Sequence, residues 1–174
     1  FYLMFLAYNR LFYLTNVLQL STQISAVVNT LSVWGNVVTM LLAGAIIEKF
    51  TFKSGKFRTW TIIGGIVVGI AFTLLFANFS LSQGVAGALF VVMFVIQSIG
   101  YNTLWVAERS LVGPMSTTAA DANSLAMVAQ QGSTLGGLIY GVVNPFIMKA
   151  VGDNYTWTAL VDGLFIVLGT LGMF

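Results

Sequence analysis

The side chains that could do chemistry recur at helical spacings in an otherwise apolar chain. Asn29, Ser32 and Asn36 lie three and four residues apart, which places them on one helix face. Gln97, Tyr101 and Trp105 share another such face, with Asn102 beside Tyr101, and Gln130, Gln131 and Thr134 supply a third group of donors. Amides and hydroxyls of this kind can hydrogen-bond a polar solute, or they can hydrogen-bond a neighbouring helix. For Asn36, Asn102 and Gln130 both readings stay open. What is missing is equally informative. The chain has no His and no Cys, and so lacks the commonest general base, the commonest metal ligand and any disulfide. No pair of carboxylates is clustered for acid–base work. Enzymatic chemistry is therefore not expected, and neither is a bound metal or cofactor.

Three further places carry charge where charge is costly. Arg10 falls within the first apolar stretch and Asp162 within the last, while Glu108 and Arg109 sit at the end of the fourth. An ionisable group inside a membrane is a functional candidate by default. An Arg10–Asp162 pair across a bundle would spare each a lone buried charge. The alternative for Arg10 is a long stem reaching toward an interface. Glu108 and Arg109 are either solvated at a helix end or part of a gate.

These groups must be held by apolar elements. Of 174 residues, 58% are hydrophobic and only 7% charged, against about a quarter charged in soluble domains. Such a chain cannot cover a water-soluble globule. A membrane-crossing helix needs about 20 mostly apolar residues. Six segments meet or approach that length: about 1–20, 25–47, 60–79, 85–107, 122–148 and 157–174. The expected class is therefore all-α, a polytopic membrane protein with six transmembrane helices embedded in the lipid bilayer. Both ends are apolar and the chain starts at Phe1, so a fragment of a longer chain is expected. The net charge of +2 is too small to suggest a nucleic-acid partner. Gly65 and Gly69, and Gly132, Gly136, Gly137 and Gly141, are spaced for close helix approach. Pro145 is expected to bend or end its helix.

Charge also orients the chain. Lys49, Lys53, Lys56 and Arg58, four of the 7 Lys and Arg residues, fall between the second and third segments. Arg109 lies on the same side, and the opposite loops hold only Lys149. By the positive-inside rule the 48–60 loop faces the cytoplasm of a multi-pass cell-membrane protein. Trp60 and Trp157 stand at segment starts, where an indole suits the headgroup region.

The basic loop is also specific in pattern. Gly44, Glu48 and Lys49 of "GAIIEKF", followed by Gly55, Lys56 and Arg58 of "SGKFRTW", resemble the second-to-third helix loop of the major facilitator superfamily. The "GKFRTW" form is similar to the glycoside–pentoside–hexuronide:cation symporters, the melibiose permease-like branch, although Thr59 stands where that branch usually has Pro. "FYLTNVLQLS", "VWGN", "GYNTLWVAERSLVGPMS" and "LGGLIYGVV" resemble its first, second, fourth and fifth helices in order. The resemblance implies the amino-terminal six-helix half of a twelve-helix fold, with a carboxy-terminal half as partner. It implies a sugar or related small solute as substrate, moved by alternating access and coupled to Na+ or H+. Asn36, Asn102, Trp105 and Gln130 become the substrate-site candidates, since an aromatic face suits a sugar ring and amides suit its hydroxyls. Glu48, Lys49, Gly55, Lys56 and Arg58 become a cytoplasmic gate.

The departures bear on coupling. The family's cation-binding acidic residues of helix two fall at Gly35 and near Thr39. Its helix-four Asp falls near Trp105, the neighbouring Thr near Asn102, and its helix-five Arg near Gln130. Amides cannot supply the carboxylates of a sodium site, so weak sodium dependence is expected. Two alternatives remain: a non-transporting membrane protein on the same scaffold, and a six-helix protein that dimerises to complete a transporter.

Overall fold

The computed structural model describes residues 2–50, 52–53 and 55–172. The outermost residues of the first and last expected segments lie outside that set, as do Thr51 and Ser54 of the basic loop. The described residues form helices only: α1 (Tyr2–Phe12), α2 (Thr22–Lys49), α3 (Lys56–Leu75), α4 (Gln83–Ser110), a single turn α5 (Val112–Met115), α6 (Ala119–Ala150) and α7 (Tyr155–Gly172). The long helices α2, α3, α4, α6 and α7 overlap the second to sixth expected segments, and the shorter α1 lies in the first. Helix α3 stops at Leu75 rather than 79, because the chain turns at Asn78, whose Oδ1 accepts from the Ser80 amide at 3.0 Å. Four stretches are long and apolar enough to cross a membrane: Thr22–Lys49, Lys56–Leu75, Gln83–Met115 and Tyr155–Gly172. Helix α1 is short over its described length, and α6 is diluted by Asn123, Gln130, Gln131 and Asn144.

Local chemistry explains where the helices begin and loosen. Helix α1 widens into a π turn over Tyr13–Val17. There Thr15 Oγ1 donates to the Leu11 carbonyl at 3.0 Å and Asn16 Nδ2 to that of Phe12 at 3.3 Å. Side chains that bond the backbone in this way compete with the α-helical ladder. Helix α6 starts on a reciprocal cap. The Asp121 amide donates to Thr118 Oγ1 at 3.1 Å, and the Thr118 amide donates to Asp121 Oδ2 at 3.0 Å. Hydrogen bonds from Thr117 and Thr118 hold the Asp121 carboxyl below the usual carboxylate range. Pro145 lies inside α6, which runs on to Ala150, so the proline does not end the helix.

The bundle packs most tightly through α3, which meets α4 on one side and α7 on the other. A Cβ on Gly163 of α7 would lie 2.7 Å from the Gly69 carbonyl of α3. That separation is possible only without a side chain. An aromatic cluster fills the space toward α1: Phe5 lies 4.8 Å from Phe76 and 5.6 Å from Phe72, ring centre to ring centre, and Tyr13 lies 4.9 Å from Phe76. All four rings are buried. Edge-to-face rings of this kind add to simple area burial.

Candidate functional site

The polar groups expected on helix faces separate into three places. The first is a buried seam between α2 and α4. Asn102 Nδ2 donates to Thr39 Oγ1 at 2.9 Å and to Asn36 Oδ1 at 3.1 Å. It also approaches the Asn36 carbonyl at 3.4 Å. Asn36 and Asn102 thus engage each other across the two helices rather than facing open space. Ser32, from the same α2 face, is fully buried and donates to the Val28 carbonyl of its own helix at 2.7 Å.

The second place is a cavity of about 830 Å³ between α1 and α6. Gln130, Ser133, Thr134 and Asn144 line it from α6, and Tyr8 and Asn9 line it from α1. Asn144 Oδ1 is buried with no hydrogen-bond partner among the described residues. Tyr140, itself buried, also lines this cavity. Of the four substrate-site candidates only Gln130 lies here. Tyr8, Asn9, Ser133, Tyr140 and Asn144 were not singled out as site residues from the sequence. A signal for the α6 members exists: Gln130, Ser133, Gly137, Tyr140 and Asn144 step by three and four along one face.

The third place is the carboxy-terminal half of α4. Trp105 is exposed and lies between residues one turn away on either side. The Tyr101 ring stacks 6.0 Å away, and the Arg109 guanidinium sits 4.3 Å from the indole centre. This is cation–π distance. Trp105 is thus engaged by its own helix and does not line the α1–α6 cavity.

Of the two readings of Arg10, the pair with Asp162 is not seen as a hydrogen bond among the described residues. The Arg10 guanidinium lies 5.3 Å from the Phe94 ring centre. Asp162 is fully buried, and neither carboxyl oxygen has a hydrogen-bond partner among the described residues. The half-buried Arg10 cation thus lies over an aromatic face on α4.

Aromatic groups contact one another and the backbone in the 48–60 loop. Trp60 Nε1 donates to the Phe50 carbonyl at 3.1 Å, and the Trp60 ring lies 5.4 Å from that of Phe52. Gly55 caps α3 with φ of 105°, a left-handed value that favours glycine. Glu48, Lys49 and Arg58 are exposed around this clamp, and Lys56 is half-buried. The Lys49 and Lys56 ammonium groups lie over Phe50 and Phe57, at 5.8 and 5.7 Å.

The family model described as MFS/sugar transport protein matches residues 1–174. A raffinose carrier protein of Pediococcus pentosaceus is 28% identical over 128 residues, covering 66% of this chain and 20% of the carrier. A lactose permease of Lactobacillus delbrueckii subsp. bulgaricus is 28% identical over 119 residues, covering 66% of this chain and 19% of the permease. The chain therefore matches about a fifth of the length of these relatives. No solved structure matches significantly.

Proposed function

The chain belongs to the MFS/sugar transport protein family, and we propose that it is one helical half of a secondary transporter for a sugar or related small polar solute. The observation that carries this reading is the α1–α6 cavity. It gathers amides and hydroxyls, from Asn9, Gln130, Ser133, Thr134 and Asn144, in a bundle otherwise built for lipid. Oriented hydrogen-bond donors and acceptors in an apolar wall are what a polyol needs. The likeness to a raffinose carrier and a lactose permease supports the sugar class. In the working protein a second bundle closes the cavity from the other side, and the two rock about the solute.

The 48–60 loop faces the cytoplasm in this reading, with its Lys and Arg residues setting the orientation. Glu48 is exposed at the last turn of α2, available to a basic group or helix end of the second bundle in one state only. Such a contact shifts an equilibrium through its difference between states. Sodium coupling through the α2–α4 seam is weak, because Asn36, Thr39 and Asn102 offer no carboxylate there.

Counterflow of labelled raffinose and lactose into proteoliposomes holding the full-length protein tests the reading. Saturable flux that falls on Gln130→Ala and Asn144→Ala supports it. No saturable flux for any sugar rejects it, in favour of a non-transporting protein on the same scaffold. Glu48→Gln should slow uptake at normal expression, and unchanged uptake by that variant removes the gate.

A further inference from the structure

We propose that the 48–60 loop binds the anionic headgroup of a membrane phospholipid. Lys49, Lys53 and Lys56 take the phosphate, and Phe50 and Phe52 sit at the boundary between headgroups and acyl chains. The proposal goes beyond the transport reading and needs only that α2 and α3 cross a membrane.

Helix length sets the loop at the membrane surface. Helix α3 has 20 residues from Lys56 to Leu75, about 30 Å at about 1.5 Å per residue, which matches the thickness of a hydrocarbon core. Its two charges, Lys56 and Arg58, lie in the first turn, and none follows as far as Leu75. Helix α2 carries no charge from Thr22 to Ile47 and ends on Glu48 and Lys49. Six residues, 50–55, join the two helices. A link that short cannot carry the loop far into the water.

The side chains match the headgroup layer. Phe50 is 51% exposed and Phe52 38%. In water two such rings would stand uncovered beside three lysines, whereas at the boundary lipid buries their faces. The rings are held as a group. Trp60 donates its N–H to the Phe50 carbonyl at 3.1 Å, and its ring lies 6.5 and 5.4 Å from those of Phe50 and Phe52. The indole N–H is thereby committed to the loop, and Phe50 and Phe52 are left to face the lipid. The Lys49 ammonium lies 5.8 Å from the Phe50 ring centre and that of Lys56 lies 5.7 Å from Phe57, so charge and ring stay together. Lys53 is exposed directly after Phe52.

The charge balance selects the lipid. The loop holds one carboxylate, Glu48, against Lys49, Lys53, Lys56 and Arg58. Compact ammonium groups suit a phosphate as point charges. A zwitterionic lipid would bring its own cation to the same place, whereas phosphatidylglycerol brings only the phosphate. A soluble phosphate would gain the charge contacts but leave Phe50 and Phe52 uncovered.

Electron spin resonance of spin-labelled lipids tests this, in phosphatidylcholine vesicles holding the full-length protein. The protein should immobilise spin-labelled phosphatidylglycerol in preference to spin-labelled phosphatidylcholine. Lys53→Gln should lower that preference by up to about fivefold, the effect of one basic residue at a membrane surface. Joint replacement of Lys49, Lys53 and Lys56 by Gln should remove most of it. Joint Phe50→Ser and Phe52→Ser should also lower it, with every basic residue kept. Lys149→Gln, on α6, should leave it unchanged. No preference in the parent, or a preference that survives either joint replacement, overturns the proposal. An equal loss in Lys149→Gln assigns the preference to overall charge and overturns it too. Loss of the preference on adding soluble glycerol phosphate gives the site to a free anion and overturns the lipid assignment.

Discussion

Helices α3 and α6 both carry glycines one turn apart, Gly65 and Gly69 on the first, Gly132 and Gly136 on the second. On α3 they are used. A Cβ on Gly65 would lie 2.5 Å from Thr170 Oγ1, and one on Gly69 would lie 3.0 Å from the Gly163 carbonyl. On α6, a Cβ on Gly132, Gly136 or Gly141 would meet nothing within 4 Å. The same spacing is thus a welded joint in one helix and an open, polar-flanked face in the other. Small residues permit close approach, but only an opposing helix makes them structural. The open face belongs to the helix that lines the candidate solute cavity.

The largest expected effect breaks this contrast directly. Gly163→Leu drives a side chain into the backbone of α3, which cannot yield as a flexible side chain can. Overpacking costs typically about 1–3 kcal/mol, and a backbone clash at 2.7 Å places this change at or above the upper end. The thermal unfolding midpoint in detergent should fall by many degrees. Gly136→Leu in the 174-residue chain should stay within about 0.5 kcal/mol of the parent. If Gly136→Leu also destabilises the full-length protein, the α6 face is covered there by chain beyond these residues.

A second pair of variants separates the seam from the cavity. Asn102→Ala deletes the donor that bridges α4 to Asn36 and Thr39. Interhelical hydrogen bonds in membranes contribute about 0.6–1.7 kcal/mol, so a loss near 1 kcal/mol is expected in the same melt. Gln130→Ala, facing the cavity, should leave the melt unchanged and lower solute uptake. The opposite pattern would exchange the roles of the two places.

How much of this was legible in the sequence depends on the range of the signal. Segment length and apolarity located every long helix, because a membrane imposes both on a single stretch of chain. The faces were harder. Asn36 and Gln130 are both amides on long helices, and their spacing alone does not reveal that one meets Asn102 while the other meets a cavity. That difference is set by helix rotation and by which helix lies opposite, and both are tertiary properties. Asp162 was visible as an intramembrane charge, but Arg10 was a possible partner by charge alone. The distances instead seat Arg10 on Phe94. Gly65 and Gly132 likewise look identical until the opposing helix is known.

The basic loop offers a smaller test of the same point. Its charges are conspicuous in the sequence, yet its geometry rests on Trp60. Trp60→Phe keeps the ring but removes the Nε1 donor to the Phe50 carbonyl, at a cost of about 0.5–1.5 kcal/mol. Cleavage by trypsin at Lys53 should become faster. Lys53→Gln should leave loop order, read by hydrogen exchange, unchanged. Equal loosening by both variants would return the charges to a structural role.

The smallest effect concerns how α6 begins. Its first turn is exposed, and Thr118 and Asp121 close it by satisfying each other's amides. Hydrogen bonds from Thr117 and Thr118 favour the ionised Asp121, which lowers its folded-state pKa. The sign then follows by linkage. An acid whose pKa is lower folded than unfolded stabilises the fold fully above the unfolded carboxylate range. That contribution is lost as pH falls through the lowered folded value. Hydrogen-exchange protection of residues 116–125 should therefore fall on acidification, while the α3–α7 seam, which has no carboxylate partner in its glycine contacts, keeps its protection. Thr118→Ala removes one half of the box at a cost near 0.5 kcal/mol, the low end for an exposed cap. It should also flatten the pH response, because the carboxylate then loses one of its donors. A response that stays as steep in Thr118→Ala as in the parent would assign the acid sensitivity of this helix end to another group.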